Sequence, residues 1–354
     1  MPENTSRTTY REHTDTENIL KLRQVLSTLP AFCKDYFRAI DSTTTTKTRI
    51  SYAYDIRIFF QFLLDENPAF KNYAMTDFSV DVLDQIKAVD LEEYMEYLKV
   101  YQNGDKTETN GERGLKRKIS ALRSFYAYYY KREMIHTNPT VLIDVPKIHD
   151  KSIIRLDTDE VALLLDYIEH CGDSLTGQKR VYYEKTKERD LAIVTLLLGT
   201  GIRVSECVGL DIEDVDFKNN GIKVTRKGGN EMVVYFGEEV EKALKRYLEV
   251  RAGITPLAGH EHALFYSAQR KRMGVQAVEN MVKKYSRQIT TTKKITPHKL
   301  RSTYGTALYQ ETGDIYLVAD VLGHKDVNTT KKHYAALDDA RRRQAATAVR
   351  LRED

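Results

Sequence analysis

One segment near the C-terminal end of the chain gathers side chains that together could transfer a phosphoryl group. It spans residues 296–334 and contains two histidines, an arginine and a tyrosine, namely His298, His324, Arg301 and Tyr334. His298 and Arg301 are one helical turn apart, so both side chains can point the same way. Tyr334 lies among basic and small polar neighbours. Its phenol could attack phosphorus while the arginine neutralises phosphate oxygens and the histidines handle protons.

Breaking a phosphodiester also requires more positive charge on the phosphate and a proton for the departing sugar oxygen. Arg203 follows a glycine turn at a predicted helix start. Like Arg301, it offers a planar fork of donors that stays protonated. Lys227 lies at the tip of a predicted hairpin, where a flexible amine could protonate the leaving oxygen. These groups together meet the requirements for cleavage by a tyrosine.

Each of these residues taken alone has an ordinary structural interpretation. Tyr334 is one of 23 tyrosines, and Lys227 sits in common turn chemistry. Arg203 could form a surface ion pair, His298 could cap a helix, and His324 could pack in a loop. The hypothesis depends on the ordered set rather than on any one member.

The second half of the chain is predicted to be helical with one β-hairpin. Apolar runs at helical spacing, bounded by capping residues, glycine or proline, predict the helices. These cover residues 157–168, 189–198, 203–210, 238–251, 275–285, 297–308, 315–322 and 329–349. Alternating residues at 221–226 and 231–236, joined by Lys-Gly-Gly-Asn, predict the hairpin.

The first half is predicted to be a small helical bundle after a polar lead-in. Its strongest helix is basic and aromatic and covers residues 115–130, whereas residues 102–114 are predicted to form a loop. Asn138-Pro139 and Val145-Pro146 then break the pattern and indicate an extended linker. We therefore expect a helical domain at 1–148 and a second domain at 149–354, with the boundary close to Lys151.

Composition limits the cellular setting. A chain of 354 residues with 41% hydrophobic residues can form about two packed domains. No apolar run reaches the ~18 residues of a membrane span, and the polar N-terminus does not resemble a signal peptide. The cysteines, Cys33, Cys171 and Cys207, are far apart and match no zinc spacing, which favours a reducing compartment. We therefore expect a cytoplasmic protein.

The charge distribution favours a polyanionic partner. Net charge is only +4, but residues 113–132 and 280–310 are rich in lysine and arginine and contain no aspartate or glutamate. Such stretches indicate surfaces that face nucleic acid, although solvated helix faces would give the same pattern. The candidate DNA contacts are Lys116, Arg117, Lys118, Arg123, Lys293 and Lys294.

The ordered motifs resemble those of the tyrosine recombinases, or phage-type integrases. The matching segments are GTGIRVSE at 199–206, TRKGG at 225–229, TPHKLR at 296–301, LGH at 322–324 and TTKKHY at 329–334. Residues 187–193 and 278–286 are most similar to the single-protein Xer recombinases of the XerS type. The resemblance implies a mainly α fold with a small antiparallel β-sheet, in which a helical, SAM-like core-binding domain precedes the catalytic domain.

The resemblance also implies roles for the cationic residues. Arg203 and Arg301 would hold the scissile phosphate, and Lys227 would be the general acid for the 5′-hydroxyl. Glu206 would orient its neighbours without direct chemistry.

For the remaining site residues, His298 would assist the tyrosine proton and His324 would donate to a phosphate oxygen. Tyr334 would form the 3′-phosphotyrosyl link. Family members commonly have His-Thr after the second arginine, where this chain has Ser302-Thr303, a difference expected to affect packing only. His333 also departs from the pattern and receives no role.

The resemblance implies a bacterial, nucleoid-associated protein that needs no metal or other cofactor. It also implies site-specific recombination of double-stranded DNA through a Holliday junction by a homotetramer on paired sites. Its C-terminal helix, with an apolar edge at 345–351, would pack into a neighbouring protomer or alternatively on its own domain. Chromosome dimer resolution and integration or excision of a mobile element both stay open, as does the target sequence. Two alternative functions also stay open, namely type IB topoisomerase-like relaxation of DNA and non-catalytic DNA binding by a protein of the same fold.

Overall fold

The chain divides into two compact units, residues 1–150 and 151–354. The computed structural model describes residues 9–149, 153–226, 229–324 and 326–328. Both units are mainly helical and carry small antiparallel sheets, which confirms the predicted fold class. Within these described ranges, every helix is too short or too polar to cross a membrane.

The first unit contains six α-helices and one β-hairpin among its described residues. They are α1 (Tyr10–Leu26), α2 (Cys33–Ala39), α3 (Thr46–Glu66), α4 (Val82–Gln85), α5 (Ala88–Tyr97), β1 (Val100–Asn103), β2 (Lys106–Thr109) and α6 (Glu112–Tyr130). The hairpin replaces part of the predicted loop at 102–114, so that prediction was wrong. Its strands bury only Tyr101, and so the apolar alternation that signals a strand is absent.

Aromatic side chains form the core of the first unit. Phe60 on α3 meets Phe125 on α6, Phe59 meets Tyr126, and all four side chains are fully buried. Tyr36 from α2 meets Phe125 edge to face, with ring centroids 5.2 Å apart. The helical spacing of these large residues in the sequence is what made the bundle predictable.

The second unit contains seven described α-helices and a three-stranded sheet. They are α7 (Thr158–His170), α8 (Gly177–Thr200), α9 (Val204–Gly209), β3 (Val215–Asp216), β4 (Gly221–Thr225), β5 (Glu231–Tyr235), α10 (Glu238–Ala252), α11 (Val275–Ile289), α12 (Pro297–Thr312) and α13 (Ile315–Leu322). The sheet order is β3-β4-β5, with Ile222 opposite Val234, which confirms the predicted hairpin. The two-residue strand β3 was not predicted because it is too short to show a pattern.

Helix α8 is the centre of the second unit and packs against α7, α10 and α12. Residues 189–197 are buried on all sides. Its first turns are polar, so the sequence predicted only the C-terminal half of the helix. α8 ends at Gly201, whose φ of 62° is left-handed, and a β-carbon there would collide with the ring of Tyr304. This glycine turn delivers the chain to Arg203.

Candidate active site

Arg203 occupies the N-cap position of α9, directly after the glycine turn. Its backbone N–H donates to Glu206 Oε2 at 2.8 Å, and its Nη1 donates to Glu206 Oε1 at 2.7 Å. Glu206 is buried, so one carboxylate fixes both the main chain and the guanidinium of Arg203. This geometry agrees with the orienting role expected for Glu206.

Arg301 lies in the second turn of α12 and is buried, with 4% of its surface exposed. Its Nη1 donates to the carbonyl of Gly201 at 2.5 Å, and its Nη2 donates to the carbonyl of Leu322. Arg301 therefore joins the end of α8 to the end of α13. A buried guanidinium needs such acceptors, because an unpaired buried charge is strongly unfavourable.

Helix α13 ends in a left-handed glycine, Gly323, with φ of 62°. The N–H of Gly323 donates to Asp320 and the N–H of His324 donates to Ala319, which is the Schellman pattern. This pattern leaves the carbonyls of residues 321–323 without acceptor roles inside the helix.

Three arginines satisfy those three consecutive carbonyls. Arg226 extends from the end of β4, Arg203 from the start of α9, and Arg301 from α12. The acceptors are Val321 for Arg226 at 2.7 Å, Leu322 for Arg301, and Gly323 for Arg203 at 3.3 Å. The structure thus brings the two predicted phosphate-binding arginines together beside His324.

The cluster carries more positive than negative charge. Glu206 and Asp320 are the acidic groups that act on Arg226, and the negative end of the α13 dipole adds about half a charge. Burial lowers the pKa of Arg226, Glu206 opposes that change, and the neighbouring Arg203 charge reinforces it. Three guanidiniums held this close together form a site suited to an anion.

The two predicted histidines are close in sequence to residues that form or hold this arginine cluster. His298 projects from the first turn of α12 and is exposed, and Ser302 Oγ donates to its carbonyl at 3.1 Å. His324 is half-buried and directly follows Gly323. Lys227 and Tyr334 lie outside the described residues.

Comparison with known proteins identifies the family. The model of the family described as "Phage integrase family" matches residues 155–341, which is more than half of the chain. The chain belongs to the phage integrase family.

Curated relatives narrow the identification within this family. Tyrosine recombinase XerC of Caldanaerobacter subterraneus is 32% identical over 90% of this chain and 86% of its own length. Tyrosine recombinase XerS of Lactococcus lactis is 31% identical over 89% of this chain and 93% of its own length. These matches confirm the resemblance to tyrosine recombinases of the Xer type, which are enzymes that break and rejoin DNA.

A solved structure shows the same fold. The Tn1549 transposon integrase in complex with circular intermediate DNA has a TM-score of 0.62 and 21% identity. The alignment covers 88% of this chain and 98% of that one.

The basic residues predicted on α6 of this integrase-family chain have different surroundings. Lys118 is buried, donates to Asn110 Oδ1 at 2.9 Å and lies 3.8 Å from Asp55. Arg117 pairs with the same aspartate, and Lys116 is exposed. Burial raises the pKa of Asp55, while Arg117 and Lys118 oppose that rise. The charges of Arg117 and Lys118 therefore balance a buried carboxyl.

The other predicted DNA contacts divide in the same way. Arg123 donates to the carbonyls of Thr140 and Ile143 at 3.0 and 2.8 Å. Lys293 pairs with two carboxylates at the start of α7, whereas Lys294 is exposed. All six residues stay predictions as DNA contacts, and Lys116 and Lys294 are the two with exposed side chains and no ion pair described.

Arg226 is the cluster residue that the sequence reasoning missed. In the motif at 225–229 the residue expected to do chemistry is Lys227, and Arg226 is its neighbour. One feature of the sequence could have identified it. Arg226 directly follows the alternating segment of β4, whose apolar side is buried.

Proposed function

We propose that this chain is a site-specific DNA recombinase that uses Tyr334 as its nucleophile. The phenolic oxygen attacks the scissile phosphorus, the bond from phosphorus to the 5′-oxygen breaks, and a 3′-phosphotyrosyl link forms. Lys227 gives a proton to the departing 5′-oxygen, which leaves as a hydroxyl. Arg203 and Arg301 neutralise the non-bridging oxygens throughout.

The meeting of Arg203 and Arg301 at the end of α13 carries this proposal. Their guanidiniums donate to adjacent carbonyls, so the two positive charges are held close together before DNA arrives. Such preorganisation is how enzymes stabilise charge that develops in a transition state. Glu206 contributes by fixing the orientation of Arg203.

The histidines complete the proton transfers. In the proposed reaction His298 receives the phenolic proton and His324 donates to a phosphate oxygen. Reversal of the same steps rejoins DNA, with the 5′-hydroxyl attacking the phosphotyrosyl phosphorus. Because the phosphotyrosyl bond conserves the energy of the phosphodiester, exchange of strands through a Holliday junction requires no cofactor.

The same proposal covers the partners. Duplex DNA would be held through lysine and arginine contacts to phosphates, so affinity would fall steeply with salt. The structurally similar transposon integrase, which was solved with DNA, supports this partner. We infer a homotetramer on paired sites in the bacterial cytoplasm, with the apolar edge at 345–351 packing into a neighbouring protomer. That segment lies outside the described residues.

Covalent trapping tests the catalytic proposal. Fragmented genomic DNA of the source organism, nicked to prevent religation, is incubated with the protein, and adducts that survive denaturation are sequenced. Wild-type protein should yield adducts at a common sequence, and Tyr334→Phe should yield none. Tyr316→Phe is the matched control, since Tyr316 is 71% exposed on α13 and should trap normally. Absence of any wild-type adduct would falsify the catalytic role.

A second assay separates recombination from simple relaxation of supercoils. Plasmids carrying two copies of the trapped sequence should recombine, and plasmids without it should keep their supercoils. Relaxation independent of sequence would instead favour the topoisomerase-like activity. The position of the trapped sequence, at the replication terminus or at the ends of a mobile element, will assign the biological role.

A further inference from the structure

Arg226 has an unusual environment for an arginine. Its Nη2 donates to the carbonyl of Val321, but its Nε and Nη1 are buried and have no hydrogen-bond partner among the described residues. Buried donors of a charged group are rarely left unpaired, because each forfeits its hydration. The observation therefore indicates that a ligand supplies the missing acceptors.

The position of Arg226 limits what that ligand can be. The guanidinium lies against Gly323, so closely that a β-carbon on this glycine would overlap it. The carbonyl of Gly323 also accepts from Arg203, and the adjacent carbonyl of Leu322 accepts from Arg301. The unpaired donors of Arg226 thus belong to the same cationic cluster as the two arginines assigned to the phosphate.

Charge at this location favours an anion over a neutral acceptor. Burial and the charge of Arg203 both lower the pKa of Arg226, whereas Glu206 and Asp320 raise it. Glu206 is already bonded to Arg203 and does not reach the unpaired donors. A phosphate oxygen next to Nη1 would supply this donor with the charged acceptor that it lacks among the described residues.

We propose that Arg226 is a third arginine on the scissile phosphate, with Nη1 donating to a non-bridging oxygen while Nη2 stays on the carbonyl of Val321. The inference rests on the proposed function, in that it takes the DNA phosphate as the anion. It adds a contact beyond Arg203, Arg301, Lys227 and the histidines. The bond to Val321 makes the same side chain hold the segment that carries His324.

Arg226→Gln is the informative substitution. Glutamine removes the charge and, because its side chain ends at about the position of Nε, it also removes the terminal donors Nη1 and Nη2. Lys223→Gln is the matched control, because Lys223 lies on the strand β4 that leads to Arg226, is exposed and pairs with Glu231. Circular dichroism and thermal melting first establish that both variants are folded.

Single-turnover trapping on two substrates then measures the contact. One nicked duplex carries the natural scissile phosphate, and the other carries a methylphosphonate of single configuration that replaces one charged oxygen by methyl. On the natural substrate Arg226→Gln should react about 10- to 100-fold more slowly than wild type. On the methylphosphonate isomer that lacks the contacted oxygen, the two proteins should differ by less than about threefold. An equal loss on the phosphate and on both isomers would overturn the proposal.

The salt dependence of duplex binding provides a second test of this contact, and it does not require DNA cleavage. Each phosphate contact contributes about 0.9 to the slope of log affinity against log salt. Arg226→Gln should lower this slope by about one, while Arg226→Lys and Lys223→Gln should leave it unchanged. If wild-type protein binds DNA without forming an adduct, the catalytic proposal fails and this slope still decides the role of Arg226. An unchanged slope in Arg226→Gln would then overturn the inference.

Discussion

Arg203 and Arg301 donate hydrogen bonds to adjacent backbone carbonyls, those of Gly323 and Leu322. The two arginines come from different helices, and the end of α13 is the feature that they share. Helix C-termini leave carbonyls without internal partners and carry partial negative charge. The fold uses this end of a helix to hold two cations side by side, where repulsion would otherwise separate them.

Replacement of Arg301 by lysine should impair both chemistry and stability. A lysine ammonium cannot span the carbonyls of Gly201 and Leu322 as the planar guanidinium does. We expect single-turnover trapping to slow by about 100-fold or more and the free energy of unfolding to fall by about 1–3 kcal/mol. Arg180→Lys, on the exposed first turn of α8, serves as the control and should match wild type in both measurements.

Glu206→Gln should slow cleavage without unfolding the protein. Glutamine keeps one acceptor for the backbone N–H of Arg203 but loses the charge that pairs with its guanidinium. We expect trapping to slow by about 10-fold, since the arginine stays in place with less defined orientation. Glu231→Gln on the exposed strand β5 is the control. Equal rates for Glu206→Gln and wild type would show that the carboxylate does not orient Arg203.

A buried polar network in the second unit should matter for stability alone. Tyr285 donates to Asp190 Oδ2 at 3.0 Å, while Arg189 donates twice to Oδ1. Burial raises the pKa of Asp190, and Arg189 and Tyr285 oppose that rise. Tyr285→Phe should lower the free energy of unfolding by about 1–3 kcal/mol in urea denaturation, because it leaves one carboxylate oxygen short of a donor. Tyr316→Phe, on the exposed face of α13, should change it by less than about 0.5 kcal/mol.

The first unit should lose stability in acid through Asp84. Desolvation acts to raise its pKa, but hydrogen bonds from the backbone N–H groups of Thr137 and His136 outweigh it and lower the pKa overall. A carboxylate with a lowered folded pKa stabilises the fold above its unfolded pKa of about 4, and that contribution disappears as pH falls through the folded pKa.

Urea unfolding of Asp84→Asn against wild type at pH 6 and pH 3 measures this effect. The wild type should be more stable by about 1 kcal/mol at pH 6, and the difference should shrink at pH 3. Asp105→Asn, in the exposed turn between β1 and β2, should give no difference at either pH. A difference between wild type and Asp84→Asn that stays constant across this range would contradict the assigned cause.

Much of the fold was readable from local pattern. Helix α13 was predicted at its observed ends, because Asp314 caps one end and Gly323 closes the other. The hairpin of β4 and β5 followed from alternation around a glycine turn. By contrast, the strands β1 and β2 at 100–109 carry almost no buried side chains, so their sequence lacks the apolar alternation that predicts a strand.

For Arg203 and Arg301, the sequence indicated that the two side chains lie together but not which groups they bond to. Motif order placed Arg203 and Arg301 together, yet no pattern shows that their acceptors are backbone carbonyls of residues 321–323. Backbone groups are the same in every residue, so sequence carries no signal for them. The burial of Lys118 against Asp55 could not be predicted either, because a lysine in a basic helix is normally expected to be exposed. Long-range pairings of this kind depend on the tertiary fold alone.

Gly323 and Gly104 allow the cationic cluster to be tested from the backbone side. Both are left-handed, with φ of 62° and 61°, so alanine imposes a similar backbone strain of about 1 kcal/mol at each. A β-carbon at Gly104 meets open space, whereas one at Gly323 would overlap the guanidinium of Arg226. Gly323→Ala should therefore displace Arg226 and slow single-turnover trapping by about 10-fold or more, while Gly104→Ala should trap at the wild-type rate.

Combining Gly323→Ala with Arg226→Gln should produce much less than the product of the two separate losses, since both changes disturb one contact. Fully multiplicative losses would mean that Gly323 acts on the site by a route other than Arg226.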